Sequence, residues 1–165
     1  MRARSESRRL ERRQYRWHTL SMTSRYWKGA HTKHKLQIHL VWVPKYRKRV
    51  LRGKVAGRLK QLMYEGCSIN GWWIHKMSIM PDHVHILIQI QATDRVSDVV
   101  KQLKGGSSRV IRKEYPELEE FLWGDSFWSD GYFAESVGIA NEEVIRKYID
   151  EQWKSMPQQS RSSGF

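Results

Sequence analysis

Four residues have the types and spacing to do chemistry: His83 and His85, one residue apart, and Tyr148 followed one helical turn later by Gln152. In His83-Val84-His85-Ile86-Leu87-Ile88-Gln89-Ile90 a strand's period of two sends His83, His85, Leu87 and Gln89 to one face. Val84, Ile86, Ile88 and Ile90 go to the other, which is core. The two imidazoles then stand about 7 Å apart at their Cα atoms, a separation from which both can converge on one cation. The pair reads equally as surface or hydrogen-bonded histidines, and two ligands alone do not decide.

Asn141 is placed to cap a helical pattern running to about Lys154, in which Val144, Tyr148 and Gln152 fall four apart on one stripe. Ile145 and Ile149 widen the apolar face beside them. A tyrosine and a glutamine are unusual on a buried stripe, because a buried amide must find partners for both its carbonyl and its NH2. Either Tyr148 packs as an aromatic with Gln152 at the edge, or both face an active site. A phenol ionises only near pH about 10, so a nucleophilic tyrosine needs help from a cation, a base or both.

The elements that must position these residues follow from periodicity. Leu36–Val43 is rich in β-branched and aromatic residues and stops at Pro44, which predicts a strand. Leu51–Glu65 has helical spacing, with Gly66–Gly71 as its exit loop. Trp72–Met80 and His83–Ile90 read as strands joined by the tight turn Pro81-Asp82. A helix capped by Asp94 or Ser97 runs to about Lys113, interrupted at Gly105-Gly106-Ser107-Ser108. Glycines there each weaken a helix by about 1 kcal/mol, so a kink, or close approach of backbone or ligand, is expected. Phe127–Ser136 predicts a fourth strand and Gly138 a loop before the last helix. The expected fold is α+β: a ferredoxin-like βαββαβ with an antiparallel sheet and an extra C-terminal helix.

The 165 residues fit one domain, and 30 Lys and Arg against 17 Asp and Glu give a formal charge of +13, which points to a polyanionic partner. Aromatics are abundant, with 8 Trp and 7 Tyr, and rings beside cations suit unpaired bases. Lys45, Arg47, Lys48, Arg49, Lys101 and Lys104 are candidates for phosphate contact, and Trp72 or Trp128 for base stacking. A solvated cationic face explains individual lysines equally well. The single Cys67 excludes an intramolecular disulfide and a cysteine zinc cage, and fits a reducing cytoplasm. No apolar run approaches the roughly 18–20 residues that span a bilayer, and the N-terminus has no secretory apolar segment. The expected organisation is a basic, disordered leader over 1–24, a domain over 25–155 and a disordered tail over 156–165. Met22 is an alternative start.

Taken together, four blocks resemble the single-tyrosine HUH transposases, the TnpA proteins of small insertion sequences that move as single-stranded DNA. They are His39-Leu40-Val41-Trp42-Val43-Pro44-Lys45-Tyr46-Arg47-Lys48; Met80-Pro81-Asp82-His83-Val84-His85; Leu103-Lys104-Gly105-Gly106-Ser107-Ser108; and Phe127-Trp128-Ser129-Asp130-Gly131-Tyr132-Phe133 leading to Tyr148 and Gln152. The similarity runs from about His39 to Trp153. It implies an HUH metal motif on His83, Val84 and His85, a nucleophile at Tyr148 and a third metal ligand at Gln152.

It further implies cleavage and rejoining of single-stranded DNA bearing subterminal hairpins, through a 5′-phosphotyrosine intermediate, in a prokaryotic cytoplasm. A homodimer is implied, with each tyrosine helix completing the partner's site and Gly131 and Gly138 as candidate hinges. Two imidazoles and an amide would by themselves suit manganese or zinc. The resemblance points to Mg2+ or Mn2+. The rival readings are a domesticated relative acting on repeated extragenic palindromes and a non-catalytic RNA-binding module. The hairpin and cleavage sequences are not encoded in the chain.

Overall fold

The computed structural model describes residues 26–122 and 126–154. The expected leader 1–24, with its choice of start, and the tail 156–165 lie outside the described residues. Trp27–Lys28 (β1) and Lys33–His34 (β2) pair antiparallel in a short ribbon that sequence periodicity does not predict.

Leu36–Trp42 (β3), Trp73–Met80 (β4), His83–Ile90 (β5) and Phe133–Val137 (β6) form an antiparallel sheet in the order β4-β5-β3-β6. With Gly53–Asn70 (α1) after β3 and Val96–Glu114 (α2) after β5, this is the expected ferredoxin-like βαββαβ arrangement. Glu119–Leu122 (α3) follows α2, and Ile139–Lys154 (α4) is the appended helix.

β3 and β5 pair without interruption from Leu36↔Ile90 to Trp42↔Val84. β4 pairs with β5 less regularly, with a bulge between Ile74 and Lys76 that leaves His75 as the extra residue.

On one face of the sheet, Leu40, Trp42, Val84, Ile86 and Ile88 are buried against Val55, Leu59 and Met63 of α1 and Val99, Val100, Leu103 and Ile111 of α2. On the other, Ile149 of α4 is buried with Leu87 and Val137. The sheet is therefore covered on both sides. Of the eight residues in β5 only His83 escapes full burial, although the strand's alternation alone suggests one wet face.

Several element boundaries differ from the sequence expectation, among them the start of α2, which follows Arg95 and is capped by neither Asp94 nor Ser97. The exit loop over Gly66–Gly71 is instead the last turn of α1, which ends at Asn70 with Gly71 in the left-handed conformation at φ 71°. A Cβ at Gly66 would stand 3.2 Å from Leu103 Cδ2, so the glycine serves the close approach of α1 and α2. The expected interruption at Gly105-Gly106-Ser107-Ser108 is absent, and α2 runs through it. Burial of Val99, Val100, Leu103 and Ile111 outweighs a propensity loss of about 1 kcal/mol per glycine. A Cβ at Gly105 or Gly106 would meet nothing within 4 Å, so neither glycine serves a close approach.

The fourth strand is shorter than expected, since Phe127 and Trp128 enter the core and Trp128 only bridges Pro44. The last helix begins at Ile139, so Asn141 lies in its first turn rather than capping it.

Candidate active site

β5 delivers His83 and His85 to the α4 side of the sheet, with ring centroids 4.8 Å apart and planes at 78°. Asp82, in the turn before β5, accepts a 2.7 Å hydrogen bond from His83 Nδ1. A carboxylate only accepts, so this contact places the proton on Nδ1. Burial alone would raise the Asp82 carboxyl, but the His83 contact and the Arg47 guanidinium outweigh it and hold the group below its ordinary range.

His85 is buried, and its Nδ1 lies 3.2 Å from Nε2 of His39 on β3. Burial, then the positive fields of His83 and His39, push the His85 imidazole down to about 4. His39 is likewise pushed down by burial. Both rings are neutral at pH 7, the form in which an imidazole binds a cation.

Tyr148 projects from α4 toward the same rings. Its centroid is 5.5 Å from that of His85 and 6.1 Å from that of His39, edge-on to both. Tyr148 is 44% exposed and Val144 64%, whereas Ile149 is fully buried. The expected buried stripe Val144-Tyr148-Gln152 is thus corrected: Ile145 and Ile149 make the buried face, and Tyr148 rides at its rim. That position leaves the phenol open to a large substrate. Gln152 stands one turn beyond Tyr148 and is half-buried.

A polar network pins α4 to the sheet. Arg146 Nη2 donates to His75 Nδ1 at 3.0 Å, and His75 Nε2 donates to Gln89 Oε1 at 2.9 Å. Lys76 pairs with Asp150 at 2.6 Å and Lys35 with Glu142 at 2.5 Å. The bulge in β4 explains why the successive residues His75 and Lys76 both reach this helix. Burial pushes His75 down to about 4, with Arg146 and Lys35 adding to the effect.

The donor set suits a divalent cation. Each histidine has its Nδ1 engaged, by Asp82 or by His39, and the Asp82 contact leaves Nε2 of His83 for a ligand. Among the described residues no group of three or more His, Cys, Asp and Glu is placed to hold a metal. Gln152, one turn beyond Tyr148 on α4, carries an amide.

The basic candidates separate into two sets. Arg47, Lys48, Arg49 and Lys101 are exposed, while Lys45 is half-buried with its ammonium 5.7 Å from the Tyr46 ring centroid. Lys104 stands apart: its ammonium donates to the carbonyls of Ser129, Asp130 and Gly131 at 2.6, 3.2 and 3.1 Å and so holds a loop. The two stacking candidates are also corrected. Trp72 and Trp128 are buried, and their indole N–H groups donate to Asp94 at 2.7 Å and Ser107 at 3.0 Å. Both rings are packing residues with satisfied polar tips.

Sequence reasoning assigns no separate role to His39, Asp82 or His75. The signal for His39 is present as polar Gln37 and His39 alternating with apolar Ile38 and Leu40 in β3, which puts His39 on the polar face of the sheet; its burial there comes from the structure.

The family model described as "Transposase IS200 like" matches residues 32–152. The ISDra2 transposase TnpA of Deinococcus radiodurans is 39% identical over 125 residues, covering 76% of this chain and 89% of the relative. The transposase for insertion sequence element IS200 of Salmonella typhimurium is 29% identical over 123 residues, covering 74% of this chain and 80% of the relative. A crystal structure of a Deinococcus radiodurans protein assigned as a transposase superposes with a TM-score of 0.64 at 34% identity, covering 76% of this chain and 97% of that one. A REP-associated tyrosine transposase bound to a REP hairpin superposes with a TM-score of 0.51 at 13% identity, over 79% of this chain and 71% of that one, which is a likeness of fold.

Proposed function

The chain belongs to the IS200-like transposase family, and on that premise we propose that it cleaves and rejoins single-stranded DNA at insertion-sequence ends with Tyr148 as nucleophile. The observation that carries this reading is the placement of Tyr148, exposed and edge-on to His85 with centroids 5.5 Å apart. A packing tyrosine on this helix would take the buried position that Ile149 fills.

In the proposed reaction the Tyr148 phenol oxygen attacks the scissile phosphorus. A bond forms from that oxygen to phosphorus, the bond from phosphorus to the 3′ oxygen breaks, and the phenol proton ends on the departing 3′-OH. The product is a 5′-phosphotyrosyl link. No bond energy is lost to water, so attack by another 3′-OH reverses the step and joins new ends. His83, His85 and Gln152 would hold Mg2+ or Mn2+, which when bound supplies positive charge beside a non-bridging phosphate oxygen. Neutral His85 and His39 add no positive charge of their own near the phenol, and α4 keeps the ring at the rim where a strand can reach it.

Substrate is proposed to be single-stranded DNA with subterminal hairpins, held by Arg47, Lys48, Arg49 and Lys101 through its phosphates. The relatives that share 39% and 29% identity are insertion-sequence transposases, which favours a mobile element over a domesticated role on extragenic palindromes. The single chain brings Tyr148 to its own histidines. The proposed homodimer would exchange α4 between two copies, turning at Gly138, the one residue between β6 and α4.

The test is incubation of labelled single-stranded element ends with and without Mg2+ or Mn2+. A covalent adduct is expected on denaturing gels with the wild-type chain and none with Tyr148→Phe. An adduct that persists in Tyr148→Phe removes the nucleophile assignment. Mixing Tyr148→Phe with His83→Ala should restore cleavage if two copies share sites, and should leave both inactive if each chain works alone.

A further inference from the structure

Two side chains stand behind the two histidines, each against the same ring atom. Asp82 Oδ1 is 2.7 Å from His83 Nδ1, and His39 Nε2 is 3.2 Å from His85 Nδ1. We infer that Asp82 and His39 are paired positioning residues that fix both imidazoles in the Nδ1–H form and so aim both Nε2 lone pairs at one cation. This rests on the proposed metal role of His83 and His85.

The case for Asp82 is geometric. Both of its carboxylate oxygens are used, Oδ1 by His83 and Oδ2 by Arg47 Nε at 3.1 Å, so two partners favour one orientation of the group. The arginine comes from an unusual turn. Tyr46 and Arg47 have φ of 57° and 51°, a left-handed conformation that costs a side-chain-bearing residue about 1 kcal/mol or more. The turn is closed by hydrogen bonds from Arg47 N to Pro44 O at 2.9 Å and from Lys48 N to Lys45 O at 3.2 Å. Strain of this kind persists only where neighbouring contacts specify it, and the Arg47–Asp82 pair is such a contact.

The case for His39 rests on tautomer logic. For His85 to offer Nε2 to a cation, its proton must sit on Nδ1 and donate to His39 Nε2, which puts the His39 proton on its own Nδ1. That Nδ1 is buried with no hydrogen-bond partner among the described residues. The opposite arrangement, in which His39 donates, would place the His85 proton on Nε2 and close the site to metal. His39 also lies edge-on to Tyr148 with centroids 6.1 Å apart, so the residue that orients a ligand flanks the phenol as well.

The experiment reads tautomers directly. Long-range 1H–15N correlation spectra of the full-length, metal-free chain should show His83 and His85 both protonated on Nδ1. Mn2+ affinity, followed by electron paramagnetic resonance, supplies the second readout. Asp82→Ala should mix the His83 tautomers and weaken Mn2+ binding by about 10–100-fold, the usual loss when an orienting partner is removed. Asp82→Asn keeps an accepting oxygen and should restore most of both. His39→Leu should act in the same way on His85, with His39→Gln as its rescue. Wild-type Nδ1–H tautomers with no Mn2+ uptake overturn the metal reading on which the inference rests. Mn2+ uptake and tautomers left unchanged by Asp82→Ala and His39→Leu overturn the positioning role alone.

Discussion

The phenol ring of Tyr148 stands edge-on to the His85 imidazole, its centroid 5.5 Å away and its plane at 80°. One partner is embedded in the sheet and the other is 44% exposed, so a rigid group and an accessible one meet at the rim of α4. Tyr148→Phe keeps the ring and its contacts while deleting the oxygen. Its stability should stay within about 0.5 kcal/mol of wild type in urea denaturation, as is usual for exposed positions. A larger loss would mean that the oxygen has a structural partner, and absence of the adduct could then not be read as chemistry.

Lys104 is a structural cation, whereas Lys48, Arg49 and Lys101 are exposed cations proposed to meet DNA. Lys104→Met strands three loop carbonyls and should destabilise the chain by about 1–3 kcal/mol. Lys48→Ala, Arg49→Ala and Lys101→Ala should leave stability unchanged and weaken single-strand binding. Each should also flatten the slope of log affinity against log salt by about 0.7 for every phosphate it ceases to neutralise. Fluorescence anisotropy across a salt series measures both.

The glycines of the helices make opposite demands. Gly105→Ala and Gly106→Ala meet nothing within 4 Å and should each stabilise α2 by about 0.5–1 kcal/mol. Gly66→Ala gains the same propensity but brings a Cβ to 3.2 Å from Leu103 Cδ2, so it should fall short of the other two by about 1 kcal/mol. Thermal melts of the three variants decide the order.

Acid should loosen the fold through His75 and His85. The unfolded chain takes up a proton on each near the ordinary value of 6.5, whereas burial keeps the folded imidazoles neutral down to about 4. Between these values the unfolded state binds more protons, so stability falls as pH drops from 6.5 toward 4 and levels off below. Above 6.5 both forms are neutral and these two groups contribute no slope. His75→Gln should flatten part of the melting-temperature decline across that window.

Strand identity, strand order and the pairing of His83 with His85 are legible in the sequence because β5 alternates without a break and its apolar half is purely aliphatic. The face carrying the histidines is harder to read. Leu87 is the one apolar residue on it between His85 and Gln89, so local pattern gives little sign that a helix covers it. In α4 the neighbouring pairs Val144-Ile145 and Tyr148-Ile149 define two adjacent stripes, and sequence spacing cannot choose the buried one. Trp72 and Trp128 mislead because a ring suited to stacking is equally suited to a core. Their deciding partners, Asp94 and Ser107, lie 22 and 21 residues away along the chain. The interruption expected at the glycine run of α2 follows local propensity, which tertiary burial overrides.

The bulge at His75 has a consequence for how such a gene can drift. Two successive β4 residues grip α4 because the strand is one residue longer than its partner requires. Deleting that codon would regularise the ladder and remove the His75 grip in one event, with no change to Tyr148 or the imidazoles. Strand length, rather than any substitution among these side chains, is thus a setting by which descendants of this chain can tighten or slacken the arm that bears Tyr148.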